Sequence, residues 1–177
     1  MKIISLMPVG RVDHALLEPL AEGLTRRLNV ACSIQPGGLE PDFAFNPLRH
    51  QYHSTEILKK MLQRPASDAW KVLGVTEIDL YIPVLTFVFG EAQLTGGGAV
   101  VSTHRLGQEF YGMPSDAGLL QDRLLKEALH ELGHTYGLRH CPNYSCVMSS
   151  SNGVERIDLK SPEFCPACAQ SIPVGER

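Results

Sequence analysis

The amino-acid sequence predicts a three-layer α/β domain, and three observations carry that reading. Short apolar runs alternate with stretches of helical leucine spacing through the N-terminal half. One longer amphipathic helix follows. Beyond Gly137 the periodicity disappears, and four of the five cysteines gather in that segment. A chain of 177 residues has the length of one domain and is expected to bury roughly 70% of its extended surface on folding. Residues 1–177 are therefore expected to form one unit, with a sheet-containing part over 1–137 and a C-terminal part over 138–177.

Residues 3–7 are apolar enough for an interior strand. Residues 14–28 repeat leucine at helical spacing, with Pro19 expected to kink or delay the helix. A second strand is expected over residues 30–35. Pro36, Gly37, Gly38, Pro41 and Pro47 mark residues 36–50 as loop. Residues 54–63 suit a short helix and residues 71–76 a third strand. Residues 87–92 and 99–103 read as two further strands on either side of Gly96-Gly97-Gly98. A long helix is predicted from Ser115 or Asp116, either a suitable N-cap. Its apolar stripe is Leu125, Leu129, Leu132 and Tyr136, widened by Leu124 and Ala128. Irregular chain then leads to a short terminal helix near residues 166–172.

Composition narrows the partners. The net charge of -3 leaves no basic footprint for nucleic acid. No apolar run approaches the roughly 18 residues that a membrane span needs. Pro8 and Gly10 interrupt the apolar N-terminus, which reads as a strand and not as a signal peptide. A cytoplasmic protein is expected, with neither a nucleic-acid nor a membrane partner.

Residues 130–140 read His-Glu-Leu-Gly-His-Thr-Tyr-Gly-Leu-Arg-His. On a helix, His130 and His134 share one face, their Cβ atoms roughly 5–6 Å apart. Two imidazoles so placed can meet one zinc ion. Glu131 lies one step round the helix and can reach a molecule beside the metal. Gly137 can end the helix in a left-handed conformation, and the three residues beyond it can bring His140 back as a third ligand. Three neutral ligands leave an open position for water, whose pKa falls to around 7 on zinc. A metal so held also polarises a bound carbonyl, so its site is read as catalytic. An isolated histidine pair would more simply be a helix surface, but Gly137 and His140 at these offsets argue otherwise.

Cys141 follows the third histidine directly, and Cys146, Cys165 and Cys168 complete a C-x4-C…C-x2-C set. In a reducing compartment such a cluster is better explained by a metal than by disulfides. Four thiolates close a tetrahedral site, so this zinc would be structural. The expected cofactors are two Zn2+ per chain, one catalytic and one structural. Cys32 reads as a small core residue.

The run from His130 to Cys141, then Cys146-Val147-Met148, then Cys165-Pro166-Ala167-Cys168, resembles the signature of the archaemetzincins, a family of metzincin zinc metallopeptidases. Phe87-Val88-Phe89-Gly90 and Ala99-Val100-Val101-Ser102 resemble strand segments of that family. The resemblance implies His130, His134 and His140 as ligands of the catalytic zinc, Glu131 as general base, and the four cysteines around a second zinc. It implies Met148 in a turn beneath the histidines, as packing and not as a ligand. It also implies a five-stranded mixed sheet whose single antiparallel edge strand lines the cleft. Phe87, Val88, Phe89 and Gly90 are the candidates for that edge, where an extended substrate could pair by strand addition. The chain is expected to open on its first strand, without the inhibitory pro-segment many metzincins carry.

Two other functions fit part of the pattern. Some metal-dependent ribonucleases space three histidines as H-x3-H-x5-H but lack a glutamate in the second position, so Glu131 and the acidic balance argue against that activity. A non-catalytic zinc module for protein interaction would predict no turnover of any peptide.

Overall fold

The computed structural model of the protein describes residues 2–64 and 69–172. In chain order the regular elements are β1 (Ile3–Val9), α1 (His14–Leu28), β2 (Ala31–Ile34), β3 (Phe45–Asn46), β4 (Gln51–His53) and α2 (Ser54–Leu62). There follow β5 (Lys71–Thr76), β6 (Leu80–Tyr81), β7 (Gly90–Ala92), β8 (Gly98–Ser102), α3 (Ala117–Thr135), α4 (Val154–Leu159) and α5 (Pro166–Ala169). The main sheet has five strands in the order β2-β1-β5-β8-β7. All its neighbours run parallel except β7, which is antiparallel to β8 and forms an edge.

The layers follow from strand alternation. Ile4 and Leu6 of β1, Leu73 and Val75 of β5 and Val101 of β8 join one core with Leu20 and Leu24 of α1 and Leu124 and Leu129 of α3. Met7, Val72 and Val100 point the other way, onto Ile57 and Met61 of α2. Helices thus cover both faces of the sheet. The first core continues into Leu138, Val147, Met148 and Ile157, so the C-terminal segment packs under α3 instead of hanging from it.

Local chemistry sets the helix ends. The Asp13 carboxylate accepts from Ala15 N at 2.9 Å and starts α1, which runs on through Pro19 to Leu28. Pro19 therefore does not delay the helix. The Asp116 carboxylate accepts from Leu119 N at 2.9 Å and starts α3.

Several expectations need correction. Residues 36–50 are not all loop: β3 lies there and pairs with β4, which pairs with β6, in a small second sheet. Only Gly90–Ala92 of the predicted 87–92 strand join the main sheet. Val88 N donates instead to Leu80 O at 3.0 Å, so the run Phe87-Val88-Phe89 bridges the two sheets. In the C-terminal segment α4 was not foreseen, because Ile157 alone of its residues is buried. A bidentate Arg123–Asp158 pair, both contacts at 2.7 Å, ties α4 to α3. The predicted terminal helix shrinks to Pro166–Ala169.

Candidate active site

The end of α3 presents the histidine group. Gly137 adopts φ 93°, a left-handed conformation that glycine alone takes freely. Gly137 N donates to His134 O at 2.9 Å and Leu138 N to Gly133 O at 3.1 Å, the paired bonds of a Schellman turn. The chain reverses there, and one ring nitrogen from each of His130, His134 and His140 falls within 4.8 Å of the others. His130 is buried and His140 exposed.

The hydrogen bonds fix the tautomers. His130 Nδ1 lies 2.9 Å from Val147 O and His134 Nδ1 2.7 Å from Leu138 O. A carbonyl only accepts, so each proton sits on Nδ1. The two Nε2 lone pairs then face each other at 3.1 Å. Without a cation that approach is repulsive. Two ligands held at 2.0–2.1 Å on a tetrahedral zinc ion would stand about 3.3 Å apart, so the donor set fits this metal. Burial also pushes the His130 and His134 pKa values down, His130 the further, keeping them neutral as ligands must be.

Glu131 lies in the same cleft, 6% exposed. Burial first, then the neighbouring Glu127 and Glu91 carboxylates, raise its pKa well above the usual carboxylate range, while Lys160 opposes. A dication at the histidines would pull it back down. Gly90 is the residue against which Glu131 rests: a Cβ there would stand 2.7 Å from Glu131 Cγ and 2.6 Å from Val100 O. On the opposite face of β7, Glu91 accepts hydrogen bonds from Ser54 Oγ and Thr55 Oγ1, fastening the strand to the start of α2.

The cleft encloses about 630 Å³ and is lined by the three histidines and Glu131 together with Phe87, Val88, Phe89 and Gly90. Sequence reasoning missed Leu85, Leu94, Glu127 and the Ser150-Ser151-Asn152 wall. Glu127 carried a signal: it precedes His130 by three and Glu131 by four, so helical spacing already put it on the site's face. It is 3% exposed, and Lys160 Nζ stands 2.9 Å from its Oε1. That oxygen makes no well-aligned hydrogen bond, so charge holds the contact.

Met148 is fully buried, and its sulfur occupies the space a side chain at position 133 would need. The four thiols of Cys141, Cys146, Cys165 and Cys168 converge to within 4.8 Å. Cys165 N and Met148 N both point at Cys146 Sγ, at 3.3 and 3.5 Å. The N–H of Cys168 holds the Cys165 thiol down to about 7, whereas burial pushes Cys141 and Cys168 up. As thiolates, four sulfurs this close would need a cation between them, and tetrahedral zinc suits a closed sulfur set.

Residues 42–173 match Peptidase family M54. The chain is 43% identical over 169 residues to an archaemetzincin of Methanocaldococcus jannaschii, covering 96% of this chain and 92% of that one. The chain belongs to the archaemetzincin family. Two solved structures agree. A zinc-dependent peptidase from Methanocorpusculum labreanum superposes with a TM-score of 0.87 at 35% identity, covering 96% of this chain and all of that one (100%). The archaemetzincin of Archaeoglobus fulgidus gives 0.84 at 38% identity, covering 96% and 99%. As an archaemetzincin-family member the chain is a zinc metallopeptidase, a hydrolase of peptide or protein substrates. Among the described residues no helix is long and apolar enough to cross a membrane.

Proposed function

We propose that this metallopeptidase hydrolyses peptide bonds with Glu131 as general base and with His130, His134 and His140 holding the catalytic zinc. The facing Nε2 atoms of His130 and His134 carry the reading, because a buried carboxylate shares their cleft. When bound, the zinc polarises the scissile carbonyl and acidifies a water molecule. As the water oxygen bonds to the carbonyl carbon, its proton passes to a Glu131 carboxylate oxygen. The same proton then moves to the departing amine nitrogen as the C–N bond breaks.

The substrate would lie extended along β7, which pairs on one side only among the described residues, with Phe87, Val88, Phe89 and Gly90 continuing the contact surface. Cys141, Cys146, Cys165 and Cys168 would hold a second, structural zinc, giving two per chain. Thiols kept for a metal fit a reducing, cytoplasmic setting. We read residues 1–177 as one domain, in which residues 138–168 complete the site that α3 and the sheet support.

Replacing Glu131 by Gln tests the mechanism. The amide cannot take the proton, so turnover should fall by roughly 10²–10⁴, with zinc content and melting temperature retained. Wild-type turnover in that variant, measured on a peptide library by mass spectrometry, would refute Glu131 as the base.

A further inference from the structure

The cleft rim, residues 82–89, is fastened from outside at Leu85, Thr86 and Phe87. Arg49 Nη2 donates to Leu85 O at 2.6 Å and to Thr86 O at 3.2 Å. Gln51 Nε2 donates to Thr86 O at 2.9 Å and to Asp79 Oδ2 at 3.0 Å, and its Oε1 accepts from Arg49 Nε at 3.1 Å. Asp79 also takes a bidentate contact from Arg105, both bonds at 2.7 Å, and the Arg105 guanidinium lies 4.3 Å from the Phe87 ring centre. Arg49 in turn stacks over Tyr81 at 4.1 Å.

Two consecutive rim carbonyls are thus held by one small network. Water could satisfy the carbonyls of an exposed loop equally well, so the network's distinctive effect is to fix the rim's shape. That shape bears on the cleft: Leu85, half exposed, and Phe87 both line it, two residues apart along the rim. None of Arg49, Gln51 or Arg105 lines the cleft itself.

We propose that Arg49, Gln51 and Arg105 are positioning residues for the substrate. They hold Leu85 and Phe87 as a preformed apolar wall, so the cleft selects extended peptides with bulky apolar side chains beside the scissile bond. The inference rests on the peptidase site described above. A rim already ordered spares the peptide the entropy of ordering it, which is the physical content of the advantage.

The test separates binding from turnover. Zinc-loaded Glu131→Gln protein, with and without Arg49→Ala, is titrated against two fluorescent decapeptides, one carrying Leu and Phe and one with Ala in their place. Loss of the clamp should weaken the Leu/Phe peptide roughly tenfold and leave the Ala peptide unchanged. In the active protein KM should rise more than kcat falls, and Arg49→Lys, which cannot present the same planar fork, should lie in between. Leu85→Ala, at a surface position, should lose the same discrimination if Arg49→Ala proves hard to fold. Equal weakening for both peptides, or none for either, overturns the proposal. Retained discrimination in a wild type that cleaves no peptide would sink the catalytic reading and leave this one standing.

Discussion

Lys160→Met gives a sharp test of how the C-terminal segment supports the site. The Lys160 side chain is 0% exposed and its Glu127 partner 4%, with Nζ–Oε1 at 2.9 Å. Removing the ammonium leaves a buried carboxylate without its counter-charge, which costs about 3–5 kcal/mol. In a domain of this size each kcal/mol moves the melting temperature by about 2–4 °C, so the expected fall is roughly 6–20 °C.

The pH dependence has a definite sign. Burial raises the Glu127 pKa and Lys160 opposes. A carboxyl raised by folding favours the folded state at low pH, and that advantage is lost as pH rises through its folded value. Lys160→Met removes the opposing charge, so its stability deficit should be greatest at and above neutrality and narrow toward the carboxylate range. Calorimetry on the zinc-loaded protein measures this. Glu127→Gln added to Lys160→Met should recover much of the loss, since the pair is then neutral. A single variant as stable as wild type, or a double variant less stable than the single, would refute the reasoning.

Gly90→Ala should lower kcat roughly ten- to a hundredfold through displacement of Glu131, with zinc content unchanged by elemental analysis; an unchanged kcat would show that the strand does not set the glutamate's position. Replacing Cys165 and Cys168 by Ser should remove one zinc and weaken the affinity of the histidine group for the other, read by competition with a chromogenic chelator. Unchanged affinity there would make the cysteine group a local staple only.

The features legible in the sequence were those set by near neighbours in the chain. His130, His134 and Gly137 are related by helical spacing, and Asp116 caps its own helix, so position in sequence nearly determines position in space. The strand Lys71–Thr76, without a polar residue from 72 to 75, was equally plain because central parallel strands are buried on both faces. The small second sheet was not, since β3 and β4 are short and β6, which pairs with β4, lies far along the chain. Phe87-Val88-Phe89 misled for a related reason: β-propensity reports a half-buried extended chain, but not which sheet or cleft receives it. The Glu127–Lys160 pair spans two elements, and charges usually mark solvent, so nothing local revealed that both are buried.

The segment Cys146-Val147-Met148-Ser149 explains how an irregular stretch can hold a metal site steady. It has no helix or strand, yet every backbone N–H and C=O in it has a partner. Cys146 N donates to Asn143 O, and Cys146 O accepts from Ser149 N. Val147 N donates to Glu163 O, while Val147 O accepts from His130 Nδ1. Met148 N points at Cys146 Sγ, Met148 O accepts from Cys141 N, and Ser149 O accepts from Lys160 Nζ. The partners therefore include a histidine of one candidate metal group, two cysteines of the other and the lysine of the buried ion pair. Disturbing any one of them releases a backbone group next to the others, so losses there should couple rather than add.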